Sequence, residues 1–224
     1  MRVQRISIAA GGTPGTDIVL LPPARQSLED FERAGFGTAV QRRQLSVDLY
    51  LVDPGLTHVA DRSWLEALQR EVIAPLRAKA SPLWLGGISL GAFMALTFAA
   101  QHPALLDGLC LLAPYAGSRI VAAEVARSPG LAQWQPDQPV SAADDDRRVW
   151  AYLRDLRPPP PQLFLGLSRS DRFADTQRLL ARALPAASHC EIDGSHDWPA
   201  WQQLWNRFLD RLAGGEYAAQ RVST

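Results

Sequence analysis

Hydrophobic and polar positions along the 224-residue chain follow two alternating rhythms. Short apolar runs bounded by Gly, Pro or charge read as buried strands, and longer stretches with apolar residues every three or four positions read as amphipathic helices. The short runs predict strands at 2–9 (RVQRISIA), 17–21 (DIVLL), 46–53 (SVDLYLVD), 82–88 (PLWLGGI), 106–114 (LDGLCLLAP), 162–168 (QLFLGLS) and 188–193 (SHCEID). The helical rhythm covers 27–35, 63–80, 90–102, 144–156, 175–184 and 198–212. GGTPG at 11–15 reads as a turn, and Ser27 with Asp30 has capping-box spacing ahead of a stop at Gly35. RPPPPQ at 157–162 is the one low-complexity patch, a stiff connector, and no internal repeat is visible. Strands alternating with helices predict an α/β fold: a mainly parallel sheet covered by helices on both faces. Reactive groups in such sheets collect beyond the carboxyl ends of the strands.

Composition narrows the function classes. Lys+Arg and Asp+Glu are both 23, so no net field draws in nucleic acid or an anionic membrane, and neither is expected as a partner. Apolar stretches break well before the roughly 20 residues a membrane span needs. MRVQRISIAAGG lacks the long apolar segment and small-residue cleavage site of a secretory signal, which points to the cytoplasm. Cys110 and Cys190 sit in strand-like runs without ligand-spaced partners and read as buried free thiols. Lys79 is the only lysine, a coding bias without mechanistic meaning on sequence grounds.

Within LWLGGISLGAFMAL, residues 87–91 spell G-x-S-x-G between a strand and a helix. Small neighbours let the backbone turn sharply and lift the hydroxyl of Ser89 above the sheet edge, where a helix N-terminus favours developing negative charge. The competing reading is a glycine-rich turn with an incidental serine. A serine needs a base to become a nucleophile. His102 ends the helix that starts at the serine, about 20 Å away at 1.5 Å per residue, and His189 begins the last strand at the wrong edge. His58 lies at the correct edge but has no evident orienting acid. His196, in DGSHDWPAW, directly follows the last strand and is the expected base. Asp171, in GLSRSD, follows the penultimate strand and is the expected acid; Asp175 competes, and Asp193 and Asp197 more simply shape the histidine loop. A helix N-cap is the alternative role for Asp171 or Asp175.

With GGISLGA, GLSRSD and GSHDWPAW in place, the chain resembles an α/β-hydrolase-fold serine hydrolase over nearly its whole length. The histidine loop is similar to that of esterase-D-like esterases, and LVDPGLTHVADRS resembles the loop after the family's fourth strand. The resemblance implies a single domain over 1–224 with a small cap or lid insertion at 115–148. It also implies that the backbone amides of Leu90 and of the loop after the third strand form an oxyanion hole. That loop reads LLPPARQSLEDF where the family often has a His-Gly pair. Pro22 and Pro23 have no amide hydrogen, leaving Ala24, with Arg25 next.

Arg25 could hold a substrate carboxylate or phosphate, or be an ordinary solvated arginine. Tyr115, Trp134 and Trp198 could line an acyl pocket, with Trp201 beside them, or simply pack the core. DDDRR at 144–148 reads as a solvated helix start following Ser141. The expected activity is hydrolysis of a carboxylic ester, of a small or extended acyl substrate, through an acyl-serine. No metal or organic cofactor is needed. Thioesterase action on acyl-CoA or an acyl-carrier protein uses the same machinery, an acyltransferase is third, and a non-catalytic ligand-binding module is the alternative from another class.

Overall fold

In the computed structural model, residues 1–7, 15–55, 62–79, 81–156 and 162–217 are described. Seven strands form one sheet: β1 (Arg2–Ser7), β2 (Thr16–Leu21), β3 (Val47–Asp53), β4 (Leu83–Ile88), β5 (Gly108–Leu112), β6 (Gln162–Ser168) and β7 (His189–Ile192), in the order β1-β3-β2-β4-β5-β6-β7. β1 pairs antiparallel with β3, and every other pairing is parallel. The connections carry α1 (Leu28–Arg33), α2 (Phe36–Arg42), α3 (from Trp64 to Arg77), α4 (Leu90–Gln101), α5 (Arg119–Ala126), α6 (Asp145–Arg154), α7 (Ala174–Arg182) and α8 (Trp198–Ala213).

Period-two alternation sorts the strand side chains between two cores. Val19, Leu21, Leu85, Leu109, Leu111, Leu165 and Leu167 pack with α3 to α7. Ile18, Leu20, Leu49, Leu51, Trp84, Leu112 and Phe164 pack with α1, α2 and α8. Burial on both faces explains why these strands read as continuous apolar runs. Each fully buried Leu or Phe contributes about 2 kcal/mol.

Register decides where the chemistry gathers. Ile88 pairs with Leu112, Leu112 with Gly166, and Ser168 with Ile192, so β4, β5, β6 and β7 end along one edge. Ser89, Asp171 and His196 all follow immediately beyond it.

Several elements differ from the sequence reading. The stop at Gly35 is also a start: in a left-handed conformation (φ 69°), it caps α2, whose Phe36, Gly37 and Val40 are buried. The 63–80 helix is interrupted by a π-helical turn at Gln69–Ile73. Asp144, not Ser141, caps α6, accepting the Arg147 amide at 3.0 Å. Nor are the three acids simply solvated. Asp144 and the buried Glu124 both pair with Arg147, Asp145 pairs with Arg62, and Asp146 accepts the Ser118 amide. Burial raises the Glu124 carboxyl, but hydrogen bonds from Arg147, the Asp137 amide and the Trp134 indole bring it below its ordinary value.

Lys79 also gains a role. Asp17, buried at the start of β2, accepts from Lys79 Nζ at 3.2 Å and from the Ser81 hydroxyl, and Lys79 donates to Tyr50 Oη at 2.8 Å. The sole lysine therefore ties the residues after α3 to the amino edge of the sheet. Cys110 is buried and Cys190 half-buried, both free thiols. His58, and most of the GGTPG and RPPPPQ segments, lie outside the described residues. No helix among the described residues is long and apolar enough to cross a membrane.

Candidate active site

β4 delivers Ser89 into a conformation that L-residues rarely adopt, φ 53° and ψ −112°. Such backbone strain costs about 1–3 kcal/mol and persists only where neighbours enforce it. Here the Ser89 amide donates to Leu112 O at 3.0 Å, and the Ser89 carbonyl accepts from Phe93 and Tyr115 amides at 3.2 and 3.1 Å. The glycines of the motif have a steric cause. A Cβ on Gly87 would lie 2.4 Å from the Gly91 carbonyl carbon, and one on Gly91 would lie 2.2 Å from Leu21 O. Gly91→Ala should therefore push α4 off the β2 loop. We expect a Tm fall of at least about 5 °C; a native Tm in that variant would contradict the packing.

The hydroxyl meets an imidazole at once. His196 Nε2 lies 2.9 Å from Ser89 Oγ, and His196 Nδ1 lies 2.6 Å from Asp171 Oδ2. Asp171 Oδ1 accepts the Phe173 amide at 2.7 Å, and Oδ2 also accepts Gln177 Nε2 at 3.0 Å. Burial raises the Asp171 carboxyl, but the donors His196, Phe173 and Gln177 outweigh it and hold it below the ordinary carboxylate value. The imidazole is gripped edge-on by Phe173 and Trp201, ring centroids 4.9 and 5.1 Å away.

The competing acids and the two other described histidines go elsewhere. Asp175 is fully exposed and pairs with Arg178, Asp193 pairs with Arg169, and Asp197 caps α8 through the Ala200 amide. His102 caps the far end of α4 against Phe98, and His189 opens β7.

The loop after β2 runs beside the turn that carries Ser89, since Leu21 O and Pro22 O are what a Gly91 side chain would strike. Pro23 to Gln26 form a turn closed by Gln26 N to Pro23 O at 3.3 Å, with Arg25 at φ 63° in the third position, where type II turns require positive φ. Among the described residues, neither the Ala24 nor the Arg25 amide has a backbone acceptor. Ala24 and Arg25 are exposed, and Leu90 is half-buried as the first residue of α4.

Tyr115 stands at the site, hydrogen-bonded by its amide to Ser89 and edge-on to Phe93 and Phe173. Trp198 is half-buried, packs against Phe31, Phe36 and Trp201, and donates to Gln26 Oε1 at 3.3 Å; it ties α8 to the loop after β2. Of the two readings of Trp134, the structure agrees with core packing and not with a pocket wall. It is 1% exposed, its indole donates to Glu124, and Arg154 lies over its ring, so it fills the packing of the 115–148 segment. No residue of the Ser-His-Asp set is among these partners. Phe173, Gln177 and the position of Trp201 against the imidazole are features the sequence reading missed. No group of three or more His, Cys, Asp or Glu residues among the described ones could hold a metal ion.

Comparison with known proteins places this geometry in context. No curated protein matches the chain. A family model described as "Putative esterase" matches residues 57–212. A fluorophosphonate-binding serine hydrolase of Staphylococcus aureus superposes with a TM-score of 0.65 at 11% identity, covering 91% of this chain and 86% of that one. An S-formylglutathione hydrolase from Staphylococcus aureus gives 0.64 at 13% identity, covering 91% and 83%. A monoacylglycerol lipase from Paleococcus ferrophilus gives 0.60 at 16% identity, covering 95% and 98%. At such identities the shared feature is the fold, the α/β-hydrolase fold.

Proposed function

The chain belongs to the esterase family, and from that premise we propose that it cleaves a carboxylic ester through an acyl-serine intermediate carried by Ser89. The observation that supports this most directly is the continuous hydrogen-bonded chain from Asp171 through His196 to Ser89. Ser89 Oγ attacks the ester carbonyl carbon while its proton passes to His196 Nε2. The developing oxyanion is held by the amide of Leu90, the first residue of α4, and by that of Ala24. As the carbon–oxygen bond breaks, His196 returns the proton to the leaving alcohol. Water then attacks the acyl-serine, giving its proton to the same nitrogen, and the acid departs as Ser89 regains its hydrogen. Asp171 fixes the imidazole tautomer and offsets the positive charge that forms on it. Nothing in this sequence of steps calls for a metal or organic cofactor.

We read residues 1–224 as one domain with 115–148 as a small cap. Tyr115, tied to Ser89 by its amide, is read as a wall of the acyl pocket, Trp198 supports the oxyanion loop, and the free thiols suit the cytoplasm. The substrate is a small-molecule ester. A thioester, including one on an acyl-carrier protein, would pass through the same steps. Release of p-nitrophenol from esters of increasing acyl length tests the reading. Turnover with an optimum chain length is expected, and activity on acyl-thioesters alone would shift it to the thioesterase.

Arg25 is proposed to favour an anionic acyl tail, since its guanidinium is carried on the loop that supplies Ala24. Arg25→Ala should lower kcat/KM about tenfold for the p-nitrophenyl half-ester of glutaric acid while leaving p-nitrophenyl butyrate nearly unchanged. Equal effects on both esters would remove the idea.

A further inference from the structure

Gln177 is an anomaly in α7. It is completely buried, although glutamine is mostly an exposed residue, and a Met or Leu would fill the same space without burying an amide. Its Oε1 has no partner among the described residues, so packing alone does not explain the choice. The other end of the amide does: Nε2 donates at 3.0 Å to Asp171 Oδ2, the same oxygen that accepts from His196 Nδ1 at 2.6 Å. The remaining oxygen, Oδ1, is held by the Phe173 amide at 2.7 Å. Both carboxylate oxygens thus have a donor besides the imidazole, Oδ1 the backbone and Oδ2 this side chain. A neutral donor is suited to the task, because a cation there would compete with His196 for the carboxylate and an anion would repel it.

We propose that Gln177 is a positioning residue for hydrolysis, holding the Asp171 carboxylate in the rotation that presents Oδ2 to His196 Nδ1. The inference rests on the reading of Asp171 and His196 as members of the catalytic set. It assigns no contact with substrate to Gln177, so its removal should act on kcat and on the ionic behaviour of the site, leaving KM within about twofold.

The test compares the native protein with Gln177→Met, which keeps length and volume, and Gln177→Glu, which keeps shape and adds a charge. Gln177→Met should lower kcat about tenfold, the rate equivalent of one charge-assisted hydrogen bond. It should also move the acid limb of the pH–rate profile upward and shift the downfield proton resonance of the His196–Asp171 hydrogen bond. Gln177→Glu should lower kcat further, because two carboxylates then share one site. Rates are divided by the fraction of serine that a fluorophosphonate labels, so loss of folded protein is not read as loss of catalysis.

An unchanged limb and resonance in Gln177→Met, with a rate within twofold of native, would overturn the proposal. So would failure of both variants to fold, which would assign the glutamine to the fold itself. If the native protein shows no esterase turnover, the hydrolase reading fails on that ground, and the proton resonance still reports whether Gln177 positions Asp171.

Discussion

Ser89→Ala is expected to lower kcat for p-nitrophenyl esters by about 10⁴-fold or more while leaving Tm within a few degrees of native. The substitution deletes one oxygen, whose side-chain partner among the described residues is His196 Nε2. The strained backbone at this position is enforced by Leu112, Phe93 and Tyr115 through main-chain hydrogen bonds, which alanine retains. What disappears is the atom that forms the acyl bond. Residual rate would come from the oxyanion amides and binding alone, which in serine hydrolases leaves a small fraction of the native acceleration. Steady-state kinetics and thermal unfolding on the same preparation separate the two effects. A variant that retains a tenth of native turnover would contradict the role of Ser89.

Asp171→Asn carries the second largest expected effect, a fall of about 10⁴-fold in kcat with little change in KM. The geometry survives, but an amide in place of the carboxylate lets the imidazole adopt the wrong tautomer and no longer offsets its charge. The same substitution has a consequence for acid stability. The folded-state carboxyl lies below its ordinary value, because the hydrogen bonds from His196, Phe173 and Gln177 overcome its burial. A depressed carboxylate contributes stability that is fully present above its unfolded value near 3.8 and is lost as pH falls through the lower folded value. Denaturant titrations across acid pH should therefore show part of the acid-induced loss missing in Asp171→Asn. An identical pH–stability curve would mean that Asp171 is not tied down as described.

How much of this was legible in the sequence depended on whether a signal was local. The elbow at Ser89 was legible because strand, glycines and helix follow one another directly, and each glycine answers to a neighbour on β2 or α4. That Asp171 and His196 meet at one edge was legible because the carboxyl edge of a parallel sheet selects residues by position. Gln177 was not, since polar positions in an amphipathic helix are read as solvent-facing. The packing of α7 against the sheet, with the glutamine amide turned to Asp171, buries it. Trp134 stayed open between pocket and core for a related reason. Its partner Glu124 becomes a buried acid only once Arg147 is brought to it from another helix, and no spacing rule links the three. The second helix after Gly35 escaped because a glycine that ends one helix can cap the next when its φ is positive. Lys79 acquired its role from Asp17, 62 residues away in sequence, a contact that composition could not indicate.

The measurement that bears most directly on the mechanism is a rapid acid quench during the burst of p-nitrophenol release, followed by peptide mass spectrometry of the trapped protein. The expected result is one acyl group per molecule, carried on the peptide that contains Ser89 and absent from Ser89→Ala. An acyl group on another residue, or sustained turnover with no covalent intermediate, would contradict acyl transfer through Ser89.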